Sequence, residues 1–288
     1  MKVAVVGLGS MGLNHFKILQ SMKGVQVYGV DPISRLAEFK DVDELFSNVK
    51  IDFAVVATPT TTHSDVSIKF IERNIPTLIE KPVFKSSEEA NLIIDRLTKN
   101  DCKVAVGHIE RFNPVCQTLA KELKNKRILN CNTVRISPYP KRISDVGVKL
   151  DLAIHDIDLI KFLTKEKIIT CFSSSSSTNG AREDTCSFFI DIGGRTTCNV
   201  LVSWMSPFRK RTIEVLTTDS YYKADLLNKA VSKTSSTKSG DHKTKQLKVR
   251  DENALEKQLK QFIKYVTIGE LGDLATLQDG LEALKIVE

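Results

Sequence analysis

The sequence predicts an α/β domain built on a doubly wound parallel sheet, followed by an α+β domain with a mostly antiparallel, open-faced sheet. Three observations carry this expectation. The chain opens on an apolar strand, Val3 to Val6, that breaks at once into Gly7-x-Gly9-x-x-Gly12 and then into a helical pattern. Strand-like and helix-like segments next alternate at βαβ spacing as far as Gly107, which requires parallel strands joined by right-handed crossovers. From residue 128 onward, short strand-like runs follow one another, and Asp191-Ile192-Gly193-Gly194-Arg195 marks a hairpin between two of them. The expected division is a dinucleotide-binding Rossmann domain over 1–118 and an α+β domain over 119–288, whose closing helices can pack back on the first domain.

The glycine loop has a physical reading residue by residue. Gly7 permits the tight turn, Gly9 lets backbone N–H groups approach a pyrophosphate, and Gly12 lets the next helix lie close to the strand. Ser10 and Met11 open that helix, where unpaired N–H donors and the positive end of the helix dipole favour an anion. A second strand, Gln26 to Val30, ends in Asp31, about 20 residues past the last glycine, where a ribose-binding carboxylate is expected. A carboxylate there repels a 2′-phosphate, so the expected cofactor is NAD rather than NADP.

Further elements follow in order. A short helix is expected over Ser34 to Phe39 and a helical turn over Asp41 to Phe46. So little chain lies between Asp31 and the next strand, Ile51 to Ala57, that the usual third strand looks trimmed. Thr58 to His63 leads into a helix, Ile75 to Ile79 is a strand ending in Glu80-Lys81-Pro82, and Ser86-Ser87-Glu88-Glu89 is a capping-box opening to another helix. Lys103 to Gly107 is a strand, Pro114 to Lys124 a helix, and 128–137 an edge or half-buried strand. A helical segment spans Leu150 to Leu163. Strands are expected over 168–177, 184–192, 195–204, 211–217 and 221–226. Residues 228–242, rich in Ser, Thr and Lys without an apolar period, read as a long mobile loop. Helices over 253–267 and 274–287 close the chain.

Composition excludes several classes. No apolar run approaches the roughly 18 residues needed to cross a bilayer, and the N-terminus lacks a signal-peptide pattern, so a soluble cytoplasmic protein is expected. The six cysteines form no C-x-x-C pair and no zinc spacing, and read as small buried residues of a reducing compartment; no metal is expected. Net charge is +7, and between Leu201 and Arg250 eleven Lys/Arg stand against four Asp/Glu. That surface is either a solvated basic edge or an attractor for an anionic ligand such as a nucleotide diphosphate, with Lys141, Arg142, Arg209, Lys210 and Arg211 as candidates. Without interleaved aromatics it does not read as a nucleic-acid platform.

In a doubly wound sheet, ligands lie beyond the carboxyl ends of the strands, so chemistry is sought at strand exits. Three stand out: Thr58-Pro59 through His63, Glu80-Lys81-Pro82, and the stretch from His108 to Pro114 with Arg111 and Asn113. A Lys at such an edge is partly desolvated, which suits Lys81 to proton transfer or to holding a hydroxyl, although a strand-end Lys can also be a solvated terminator. Within the helical pattern, Asp151 and His155 stand four apart on one face, where the carboxylate can fix the imidazole tautomer; Asp158 roughly continues that face. A buried core histidine and simple dipole complementation are the competing readings.

Taken together, Gly7-x-Gly9-x-x-Gly12, Thr58-Pro59 with His63, Glu80-Lys81-Pro82 and Asp151-x-x-x-His155 resemble the Gfo/Idh/MocA family of NAD(P)-dependent sugar oxidoreductases, nearly end to end. The resemblance implies that Lys81 and His155 act on the reacting hydroxyl, that Asp151 positions the substrate, and that Glu80 lies by the nicotinamide ribose. It places Thr58, Pro59, His63 and Lys81 among the cofactor contacts, Arg111 and Asn113 among those to substrate, and implies a homodimer or homotetramer formed through the second domain's sheet. The stretches Gly107 to Pro114 and Gly147 to Asp158 resemble the branch that oxidises nucleotide-linked amino sugars. An inositol or free-sugar dehydrogenase, and a non-catalytic dinucleotide-binding regulator on the same fold, are the alternatives.

Overall fold

The computed structural model of the chain describes residues 1–140, 146–178, 182–237 and 239–288. Two compact units emerge, one formed by Met1–Ile109 with Ala254–Lys285 and the other by Glu110–Asn253 with Ile286–Glu288. The chain passes from the first unit to the second at Ile109/Glu110.

The first unit holds a five-stranded parallel sheet of β1 (Lys2–Val6), β2 (Gln26–Val30), β3 (Phe53–Val56), β4 (Thr77–Ile79) and β5 (Val104–Val106), in the order β2-β1-β3-β4-β5. Every residue of β3, β4 and β5 is buried, because helices cover both faces of a parallel sheet. The strand order reverses at β1/β3, so their carboxyl ends open a crevice for a ligand. The covering helices include α1 (Ser10–Ser21), α2 (Val42–Asn48), α3 (His63–Ile71), entered through a 3₁₀ turn at Thr60–Thr62, and α4 (Ser87–Asn100). Asp41 caps α2 by accepting from the Glu44 N–H at 2.9 Å. At α4, Ser86 accepts from the Glu89 N–H, while the Glu89 carboxylate reaches Lys85 N–H rather than closing the expected capping box on Ser86.

The helix expected over Ser34 to Phe39 does not form. The Asp31 carboxylate captures the N–H groups of Ile33 and Ser34, an Asx arrangement that competes with a helix, and Glu38 accepts from Gly29 N–H at 2.6 Å. Phe39 makes only a single parallel bridge to Val30, which stands where a full third strand would pair.

The second unit holds an eight-stranded sheet of β6 (Ile128–Ile136), β7 (Ile168–Ser176), β8 (Thr185–Ile192), β9 (Thr196–Ser203), β10 (Lys210–Thr217), β11 (Ser220–Asp225), β12 (Ala230–Ser236) and β13 (His242–Leu247). Their order is β13-β12-β11-β10-β6-β9-β8-β7, antiparallel except for the β6/β9 pair. β6 is thus central, not an edge strand. Helix α5 (Pro114–Leu123) lies against β11 and β12, and α6 (Ile154–Thr164) against β6 and β9. The opposite face is open, which gives β8 and β9 their alternation of buried and exposed residues. Gly193 and Gly194 take φ of 60° and 68° in the β8–β9 turn, the left-handed region that a primed hairpin turn requires. The expected loop at 228–242 instead contains all of β12 and the start of β13; with Val231 as the only buried residue of the two strands, no apolar alternation announces them.

The chain then returns to the first unit as α7 (Ala254–Ile268) and α8 (Leu277–Val287). Phe262 meets Phe53 edge-on at 5.4 Å between centroids, and Val106 N–H donates to Ala275 at 2.9 Å. Among the described residues, no helix is long and apolar enough to cross a membrane.

Candidate functional site

The glycine loop of the first unit is shaped by contact distances. Gly7 has φ of 86°, and a Cβ there would sit 2.7 Å from Ala57 O and Thr58 N; a Cβ on Gly12 would fall 1.7 Å from Gly7 O. Over Gly9, nothing lies within 4 Å of the Cβ position. Helix α1 starts there with no side-chain cap and no acidic residue in its first turn, so its N-terminal N–H donors around Ser10, Met11 and Gly12 suit an anion. A cavity of about 760 Å³ adjoins the loop, lined among others by Gly7, Gly9, Val30, Asp31, Thr58 and Pro59. An apolar recess of that size beside uncapped donors fits the adenosine half of a dinucleotide.

Asp31 is fixed by hydrogen bonds from two stretches of backbone. One carboxylate oxygen accepts from Leu8 N–H at 2.8 Å, tying the acid to the glycine loop, and the other accepts from Ile33 and Ser34. Burial raises its pKa, but those three backbone donors outweigh burial and hold the carboxyl below its ordinary range.

At the exit of β3, Thr58 and Pro59 line the cavity. His63 does not: it is 1% exposed, with Nδ1 at 2.9 Å from Pro82 O and 3.2 Å from Val83 O, and Nε2 at 2.9 Å from Thr58 O. The ring staples the exits of β3 and β4 from beneath, a role for which the sequence offers no signal distinct from cofactor contact. Burial pushes its pKa down against the pull of those carbonyls and of Glu80.

Glu80, at the exit of β4, is buried with Oε1 at 2.7 Å from His15 Nε2, while its other oxygen accepts from Lys81 N–H at 3.2 Å. Burial raises its pKa, yet His15 and Lys81 together leave it lowered. Lys81 itself is half-buried and is followed by a cis peptide to Pro82. Gly107 is explained here: a Cβ on it would lie 2.9 Å from Glu80 Cδ.

In the second unit, α6 is entered through a π-helical turn at Lys149–Ala153, the wide-turn geometry that recurs at functional sites. Gly147 precedes it because the Glu183 carboxylate occupies the space a Cβ would need. From Asp151 to Ile160, only Asp151 and His155 are partly exposed; all other positions are buried. Asp158 does not continue their face. It is 1% exposed and takes a two-pronged bond from Arg111, with Nε at 2.9 Å from Oδ2 and Nη2 at 2.6 Å from Oδ1.

Arg111 and Asn113, expected at the substrate, are thus engaged inside the unit. The Arg111 guanidinium also stacks over Phe162 at 5.5 Å. Asn113 caps α5 by accepting from Val115 N–H, and its amide donates to Glu110. Arg135 of β6, which sequence reasoning did not single out, completes this cluster: Nε donates to Asp156 at 2.7 Å and Nη1 to Glu110 at 3.0 Å. Burial drives Asp156 upward despite Arg135, whereas Glu110, helped also by Asn113 and Arg211, is held down. Arg211 stands 3.8 Å from Glu110, and Arg209 and Lys210 are exposed. Lys141 and Arg142 lie outside the described residues.

A glycine loop at the switch point of a parallel sheet, an uncapped helix beside an apolar recess and an acid closing β2 define a dinucleotide-binding oxidoreductase fold. Residues 1–108 match the family model described as the oxidoreductase family with NAD-binding Rossmann fold, and residues 131–223 match the GFO/IDH/MocA C-terminal domain. The chain belongs to the Gfo/Idh/MocA family of oxidoreductases and binds NAD. It is 27% identical over 238 residues to UDP-N-acetylglucosamine 3-dehydrogenase of Acidithiobacillus ferrooxidans, covering 79% of this chain and 75% of that one. It is 25% identical over 195 residues to myo-inositol 2-dehydrogenase of Thermotoga maritima, covering 61% and 58%. The solved structure of the Acidithiobacillus enzyme matches the whole chain and 95% of its own with a TM-score of 0.91 at 22% identity, and the NAD complex of GenD2 from gentamicin A biosynthesis matches with 0.84 at 21%, over 100% and 92%.

Proposed function

We propose that the chain oxidises the C3 hydroxyl of a UDP-linked N-acetylamino sugar. The observation that carries the chemistry is the pair Asp151 and His155, the only partly exposed residues in an otherwise buried stretch of helix. His155 takes the hydroxyl proton, Asp151 orients the sugar, and Lys81, at the exit of β4, assists ionisation of the same oxygen. NAD, when bound, accepts the hydride from the C3–H bond, and a 3-keto sugar results. Gly7, Gly9, Ser10, Met11 and Gly12 hold the pyrophosphate through backbone N–H groups, Asp31 serves the adenosine ribose, and Glu80 that of the nicotinamide. The choice of sugar is supported by the relative named UDP-N-acetylglucosamine 3-dehydrogenase, which the chain matches over most of its length. Exposed Arg209 and Lys210, with the half-exposed Arg211, supply positive charge for a diphosphate.

The test is absorbance of NADH on addition of UDP-N-acetylglucosamine or its uronic acid, set beside free inositol and glucose, with and without a 2-oxo acid to reoxidise tightly held cofactor. Turnover of a UDP-sugar is expected. Lys81→Ala and His155→Ala should each lower kcat by about 10² to 10⁴ while NAD binding persists, the usual worth of a positioned acid–base group. Near wild-type turnover in either variant removes its assigned role. A second reading, a polyol dehydrogenase, has support in the inositol dehydrogenases among the relatives; activity on inositol with silence on UDP-sugars would establish it.

A further inference from the structure

A side-chain hydrogen bond links the helix of the phosphate loop to the strand exit that carries Lys81. His15 lies on α1, five residues after its first residue, and is fully buried. Its Nε2 stands 2.7 Å from Glu80 Oε1; an ionised carboxylate only accepts, so Nε2 carries the proton. The other Glu80 oxygen accepts from Lys81 N–H, and the backbone of Gly107 closes a third side. Two hydrogen bonds, one from a side chain and one from backbone, orient this buried carboxylate, and the nearby Gly107 backbone leaves it little room to turn. His15 supplies the side-chain donor. The α1 end that precedes His15 by one and a half turns is the anion-binding end of the glycine loop.

We propose that His15 is a positioning residue: by donating to Glu80, it locks the Glu80-Lys81 strand exit to the helix that receives the dinucleotide phosphates. Cofactor affinity and the setting of Lys81 are thereby linked, although His15 is sealed from solvent. The inference rests on the reading of Glu80 and Lys81 given above, but its first test needs no sugar.

NADH fluorescence titration of the full chain is compared for wild type, His15→Phe, which keeps a ring of similar breadth without the donor, and His15→Gln, which keeps an N–H near the Nε2 position. His15→Phe is expected to weaken NADH binding about tenfold, because Glu80 loses the donor that ties it to α1, and His15→Gln to restore affinity to within about threefold. In the sugar assay, kcat should fall in His15→Phe with sugar KM unchanged. A lowered Tm with wild-type NADH affinity would make His15 a fold residue only and overturn the proposal. Should His15→Phe not fold, the same titration is run as a double-mutant cycle of His15→Gln and Glu80→Gln: non-additive changes in affinity support coupling through Glu80, and additive ones refute it. Absence of turnover on UDP-sugars would fall on the substrate reading and leave the titration result standing.

Discussion

At the scale of single residues, burial separates side chains that the sequence presents as equals. Asp151, His155, Asp156 and Asp158 are four titratable groups within eight positions, and only the first two meet solvent. Arg111 shows the converse. As a charged residue shortly after β5, it looks like a substrate ligand, but its partner Asp158 lies 47 positions away and no local pattern could name it. Arg111→Ala would strand a buried carboxylate, so a loss of about 3–5 kcal/mol in chemical denaturation is expected. A variant of wild-type stability with a raised sugar KM would instead return Arg111 to the substrate. The glycines were more legible, because close backbone approach leaves few alternatives. Gly12→Ala should cost on the order of 100-fold in kcat/KM for NAD, since a Cβ 1.7 Å from Gly7 O must displace the phosphate loop.

At the scale of elements, the parallel half was readable nearly strand by strand, since strands buried on both faces are continuous apolar runs. What escaped was structure held by hydrogen bonds rather than by burial. The β12–β13 hairpin pairs from Val231–Leu247 to Ser236–His242 with hardly an apolar side chain, and the turns after Asp31 are fixed by its carboxylate. The open face of the second sheet makes a different demand. Phe172 and Phe189 stand side by side there, 69% and 48% exposed, with Leu201 exposed on β9, Leu216 on β10 and Tyr221 on β11. We propose that a second copy covers this face. Light scattering should give a dimer or tetramer for the wild type and a monomer for Phe172→Glu/Phe189→Glu; a monomeric wild type would refute it.

At the scale of the whole molecule, hydrogen-bonded and ion-paired carboxylates are expected to set the response to acid. Asp31, Glu80 and Glu110 all have pKa values depressed in the folded chain. Their stabilisation is complete above the ordinary carboxylate range, about pH 4, and is lost as pH falls through the lower folded values; Asp156, raised by burial, works in the opposite sense. Stability is therefore expected to fall from about pH 5 downward, with a shallower acid limb in Glu80→Gln. An identical limb in that variant would show that Glu80 carries none of the effect.

The return of α7 and α8 to the first unit has a consequence during synthesis. A ribosome that has emitted every strand of the dinucleotide-binding sheet has still not emitted the residues that seal it: Phe262 against Phe53, and Ala275 against Val106. Between residues 109 and 254 the nascent chain carries that sheet incompletely covered, while most of the second unit is being made. The unit that begins first is thus closed only by residues made after nearly all of the second.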